Sequence, residues 1–172
     1  MPAANAVFVV HLAATLFMTG LIWFVQVVHY PLFAQVGAAG FAAYEAAHTA
    51  RTTLVVAPAM LVEAATAVLL LAVRPACAPG WALWAGAGLA AVNWFSTALL
   101  QVPRHEILAA GFDAEAHRFL VASNWVRTAA WTARAMLVLW LAARIMAAPE
   151  GLECTGWSSS EEASGVSTPR SR

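Results

Sequence analysis

Lysine is missing from this chain altogether; all nine basic residues are arginine. Charge of either sign is scarce, at 10% of 172 residues against 62% hydrophobic ones, whereas soluble domains carry roughly 25% charged and 45–50% apolar residues. The net charge is zero, so there is no basic footprint and no nucleic-acid partner is expected. The two cysteines, Cys77 and Cys154, lack the paired spacing of a metal or redox motif. They read as two free thiols without a disulfide framework. No GxSxG, HExxH, Walker or dinucleotide signature occurs, which disfavours those hydrolytic and nucleotide-dependent chemistries. The first twenty residues also lack the positive region of a signal peptide, so their apolar run reads as a retained first span.

What is present is membrane-length hydrophobicity. A span needs about 20 mostly apolar residues to cross a ~30 Å hydrocarbon core. Four segments qualify, at about 5–28, 53–73, 81–100 and 125–146. Pro31, Pro75 with Pro79, Pro103 and Pro149 are expected to mark the span ends, and Pro58 to kink the second span. Trp81, Trp84 and Trp125 fall near span ends, where amphipathic rings favour the interface. The connections at 41–51 and 113–124 look helical and lead straight into spans, with Asp113 as a cap and Glu115 in the first turn. Helices two and four therefore should project past the membrane on one side. From residue 149 the chain turns polar and serine-rich, the composition of a disordered tail. The expected fold is an all-α four-helix transmembrane bundle over 1–148 followed by that tail, 149–172. The expected location is the bacterial inner membrane, as a multi-pass protein.

An ungapped shift of 76 positions lays His29 on His105, Arg51 on Arg127, Thr52 on Thr128 and the AMLV of 59–62 on that of 135–138. This reads as two repeated helical hairpins of equal orientation, related by an axis along the membrane normal. One symmetric polar pocket should result, with His29 and His105 facing each other and Arg51 and Arg127 flanking them. Helical spacing agrees. Thr15, Thr19, Gln26, His29 and Tyr30 share a face, as do Glu45, His48, Arg51, Thr52 and Glu63. So do Asn93, Thr97, Gln101 and His105, and again Asn124, Arg127, Trp131 and Arg134. Glu63 and Arg134 lie deep in their spans. A charge at mid-bilayer costs roughly 2.5–3.5 kcal/mol on insertion scales, so these two should pair.

The polar stretch 101–134 supplies most of the candidate site. His29, His105 and Arg127 are the candidate catalytic residues. His48, Arg51, Gln101, Asn124, Trp131, Arg134 and Glu63 are candidates for ligand binding. The histidines leave several roles open: hydrogen bonding at the interface, axial ligation of a b-type haem, or a metal site using Glu45 and His48. The last has the Glu-x-x-His spacing of di-iron bundles, but the shifted copy offers only Val121 and Asn124, so no metal is assigned. The arginines suit a carboxylate, phosphate or enolate oxygen, with a histidine as general base. His11 should lie apart from this cluster, and His117 reads as solvated as readily as functional.

The phrases HYPLF at 29–33, QVPRH at 101–105, GFD at 111–113 and NWVRTAAWTAR at 124–134 resemble a family of small bacterial four-span integral membrane proteins of uncharacterised function. More distantly, the four short spans and the Asn-x-x-Arg and Trp pattern of the fourth helix are similar to the anthrone oxygenase-like membrane proteins. That second resemblance implies cofactor-independent oxygenation, or related chemistry, on an aromatic substrate. The function expected is thus a membrane oxidoreductase or oxygenase acting on a lipid-soluble aromatic or quinone-like molecule. Alternatives are a small transporter, an anion- or lipid-binding protein, or a membrane assembly partner. Membrane lipid, a small hydrophobic ligand and a second copy of the chain are the expected partners. Arg51, Arg104, Arg118 and Arg127 on the pocket side balance Arg74, Arg144, Arg170 and Arg172 on the other, and the termini are expected on the inner side, because a free serine-rich tail needs no translocation, with the pocket opening outward.

Overall fold

The computed structural model describes residues 3–147, all of it helix and short connections. Four helices are long and apolar enough to cross a membrane: α1 (Ala3–Gln35), α2 (Ala38–Ala72), α3 (Gly80–Ala109) and α4 (Ala114–Met146). They form an all-α bundle in which sequential helices are neighbours and α4 closes back on α1. Short connections force each helix antiparallel to the one before it. The proposed tail, with Pro149 and Cys154, lies outside the described residues.

Polarity is arranged opposite to that of a soluble bundle. Leu54, Leu61, Val68, Trp84, Phe95, Leu99 and Met136 are exposed, whereas Glu45, Glu63, Asn93, Gln101, Asn124, Arg127 and Arg134 are buried. An apolar girdle of this extent has no favourable place in water. In hydrocarbon it costs nothing, while every polar group must find its partner inside.

The helices at 41–51 and 113–124 are continuous with spans two and four, as the sequence suggests. α4 opens on Asp113, whose carboxylate accepts the Ala116 N–H at 2.7 Å, with Glu115 in the first turn. Between α1 and α2 the chain turns at Gly37 with φ of 82° and ψ of 145°, a nearly glycine-only conformation that costs other residues about 1–3 kcal/mol. α2 runs through Pro58 without a break.

Pro31 and Pro103 do not end spans; this corrects the sequence expectation. Each lies inside a continuous helix, just beyond a π turn: Val25–His29 in α1 and Thr97–Gln101 in α3. In these turns Tyr30 N–H reaches back to the Val25 carbonyl and Val102 N–H to that of Thr97. Proline lacks an N–H, and its ring collides with the carbonyl four residues back. The wide turn starts a fresh helical register with proline in its first turn, where neither defect matters. Cys77 corrects a second expectation. It is disulfide-bonded, not a free thiol, and lies in the α2–α3 loop with φ of 65°.

Candidate functional site

The two π turns deliver polar side chains to one end of the bundle. π turns inside α-helices are frequent at functional sites, because the extra residue re-aims the side chains beyond it. Below the first, His29 and Tyr30 meet Glu45, His48 and Thr52 from the opening turns of α2. The second ends at Gln101, one turn before His105. α4 contributes His117, Asn124 and Arg127.

A hydrogen-bonded chain connects them. The buried carboxylate of Glu45 contacts His105 Nδ1 at 2.5 Å, and His105 Nε2 contacts the Tyr30 hydroxyl at 3.0 Å. A carboxylate on Nδ1 fixes that nitrogen as the protonated one, leaving Nε2 to accept from the phenol. The Arg127 guanidinium lies beside the same phenol. Its Nη1 donates to Asn124 Oδ1 at 3.2 Å, and its plane lies over Trp131 at 5.2 Å. Asn124 is itself held by Gln26, donating to Oε1 at 2.9 Å. A second pair runs alongside: His29 Nε2 and His48 Nδ1 are 2.8 Å apart, with the Thr52 hydroxyl 3.1 Å from His48 Nδ1.

These groups cap a cavity of about 510 Å³ between α2 and α3. Met18, Ile22, Val25, Val56 and Met60 line its deeper part, while Tyr30, His48, Gln101, His105 and Arg127 form its polar end. Exposed Thr53, Trp94, Val102 and Glu106 also belong to the wall, so the cavity opens sideways between the two helices. Its volume suits a ring system or a small lipid-soluble molecule.

Of the candidates from sequence, His105, Arg127, His48 and Gln101 line this cavity. His29 stands behind His48, and Asn124 positions Arg127 from below. Arg51 is exposed and absent from the wall. It falls one residue short of Thr52, at the edge of the inward stripe that runs through Glu45, His48 and Thr52. The symmetric pocket expected from the repeat is therefore lopsided: both histidines converge, but only one arginine does. His29 and His105 also do not oppose each other across an open slot. The His48 ring packs against both, at centroid distances of 4.7 and 5.3 Å. This arrangement does not present the opposed pair that a bis-imidazole haem takes. Among the described residues no three His, Cys, Asp or Glu side chains group closely enough to hold a metal.

Glu63 and Arg134 do pair, Nε to Oε1 at 3.0 Å, fully buried. They belong to a second network nearer the other end. Thr15 donates to Glu63 Oε1 at 2.8 Å, Trp131 Nε1 to Glu63 Oε2 at 3.0 Å, and Arg134 Nη1 to the Gly86 carbonyl. His11 completes it, with Nδ1 2.8 Å from the Thr66 hydroxyl and Nε2 3.4 Å from Arg134 Nη2. His11 thus lies apart from the His29–His105 cluster, as its position suggests. Every charge here is satisfied, so Glu63 and Arg134 act on packing and do not face the cavity. Trp131 links the two networks, its N–H on Glu63 and its ring under Arg127.

Tyr30 and Glu45 carry the geometry, although sequence spacing singled out the histidines and arginines. A lone carboxylate in the apolar opening of α2 was the available signal for Glu45. His117 is not solvated: it is buried, with Nε2 2.8 Å from the Tyr30 carbonyl. No protein-family model, curated protein or solved structure matches this chain.

Proposed function

We propose that this chain is a multi-pass protein of a bacterial inner membrane that takes a lipid-soluble aromatic or quinone-like molecule into the cavity between α2 and α3. There it exchanges a proton with an oxygen of that molecule, as part of an oxidoreductase or oxygenase reaction. One observation carries the reading: the Tyr30 phenol stands between the Glu45–His105 pair and Arg127 at the polar end of an otherwise apolar cavity. A carboxylate-oriented imidazole is a competent general base. A buried guanidinium stabilises negative charge on oxygen far better than it would in water. The sideways opening lets a membrane-dissolved molecule enter without crossing an aqueous surface. The distant resemblance to anthrone oxygenase-like proteins, which implies an aromatic substrate, points the same way. The internal repeat belongs to this proposal too, since α2 and α4 begin at Ala38 and Ala114, 76 residues apart.

A second reading, binding or transport without chemistry, is favoured by the same open wall. Organic extraction and mass spectrometry of detergent-purified protein tests the first step, with an ultraviolet–visible spectrum before and after dithionite. A co-purifying phenol or quinone that is turned over by wild type but only bound by His105→Ala supports the enzyme. Binding with no conversion in either protein supports the carrier. No aromatic lipid, with or without added substrate, would remove both.

A further inference from the structure

We propose that Arg127 is an oxyanion subsite: the cavity holds its ligand as an acidic phenol or enol in the ionised form, with the oxygen on the guanidinium. This rests on the reading of the cavity as a site for a lipid-soluble aromatic molecule and names the charge state it selects.

Arg127 is only 6% exposed, and its Nε–H, turned from Asn124, has no partner. No carboxylate compensates it among the described residues. Glu45 is held through Oε1 by His105, with its buried Oε2 unpartnered, Glu63 is held by Arg134, and Glu106 lies on the exposed rim. Its neighbours are neutral: the Tyr30 hydroxyl, the Asn124 amide oxygen and the Trp131 ring face. A charge buried within a bilayer normally faces a partner or a polar cavity. Arg127 faces the cavity.

The unmet hydrogen bonds gather at the same depth. Gln101, also on the cavity wall, has an unpartnered Oε1. Asn93 is 1% exposed with both amide atoms unpartnered, and the Ser96 hydroxyl one turn on is unpartnered as well. Their level comes from the pairing of α3 with antiparallel α4. Arg134 reaches the Gly86 carbonyl, and about two turns from that rung along each helix stand Asn93 and Arg127. Buried polar atoms without partners are rare in folded proteins and, in hydrocarbon, expensive. Of these, the Arg127 Nε–H and the Gln101 Oε1 lie on the cavity wall, which Asn93 and Ser96 do not line, and together they suit an oxygen-bearing ligand with attendant water. The other titratable groups around the subsite are Tyr30 from α1, Glu45 and His48 from α2, and His105 and Glu106 from α3.

A coloured nitronaphthol and its methyl ether, titrated into protein in detergent and into empty micelles, make the test. Bound to wild type, the naphthol should ionise about one to two pH units lower than in micelles, as beside a fixed positive charge. That equals a roughly ten- to hundredfold preference for the anion, and the ether should bind correspondingly more weakly. Arg127→Gln should abolish the shift and Arg127→Lys retain part of it. The naphthol–ether comparison on wild type needs no variant to fold. Saturable binding of both probes alike, with no shift, overturns the oxyanion subsite and leaves the aromatic cavity standing. Absence of saturable binding by either overturns both.

Discussion

At the scale of single residues, the two buried networks should respond differently to mutation. Glu63 and Arg134 form a fully enclosed pair with both carboxylate oxygens hydrogen-bonded. Removing one partner of such a pair strands a charge, at a cost of about 3–5 kcal/mol. Arg134→Met should therefore lower the thermal midpoint in detergent sharply, and a Glu63→Leu, Arg134→Met double variant should recover much of the loss. A double variant as unstable as the single would show that the pair is needed for something beyond charge compensation. Tyr30→Phe removes one hydroxyl from the other network while keeping the ring packed on Phe33 at 5.4 Å. We expect a loss of about 1–3 kcal/mol, because His105 Nε2 loses its partner. The cavity should still admit the nitronaphthol ether, since its apolar wall is unchanged. The sequence made much of these networks legible. The depth of Glu63 and Arg134 in apolar spans predicted their pairing, because hydrocarbon leaves a charge no other option. It did not reveal that Arg127 turns inward and Arg51 outward, since each stands 13 residues into its helix, immediately before a threonine.

At the scale of the helices, the four spans could be read from hydrophobic runs alone, and the helical connections from their caps. The π turns could not. Proline at 31 and 103 looks like a stop in one dimension, and nothing in the composition says that a widened turn will absorb it. A π turn is one extra residue in an α-helix, which makes a specific test available. In a Pro31→Ala background, where no proline opposes it, deleting exposed Val28 from the Val25–His29 turn should let α1 revert to regular α-helix with the downstream segment still aimed inward. Deleting Leu21 from regular helix should rotate everything after it by about 100° per residue and drag His29 and Tyr30 out of the site. Size-exclusion profiles and nitronaphthol binding of the two deletions would separate these cases. Equal damage from both would mean the π turn has a role of its own. Gly37 presents a simpler element-level case. A methyl group there would meet nothing within 4 Å, so only its φ of 82° opposes substitution. Gly37→Ala should cost about 1–3 kcal/mol without altering binding, as read from paired melting and titration curves.

At the scale of the whole molecule, orientation is where the structure argues against the sequence expectation. That expectation set the termini inside, on a level arginine count and a free polar tail. One observation weighs against it. Cys77 is disulfide-bonded, and it lies in the α2–α3 loop, at the end of the bundle away from the cavity. Disulfides persist in oxidising compartments such as the periplasm and are rare in the cytosol. The arginines do not favour the cavity end: Arg51, Arg104 and Arg118 belong to it, against Arg74 and Arg144 at the other, and Arg170 and Arg172 follow α4 in the sequence. The disulfide predicts a cavity end that faces inward and an α2–α3 loop that faces outward; on the proposed function, proton exchange would then face the cytoplasm. In intact cells a membrane-impermeant maleimide should label Cys77 only after gentle reduction. In a Cys77→Ser, Cys154→Ser background, a cysteine introduced at Ala39 beside the α1–α2 turn should react only once the membrane is permeabilised. Labelling of the Ala39 position in sealed cells, with Cys77 of the wild type protected until lysis, would restore the opposite orientation.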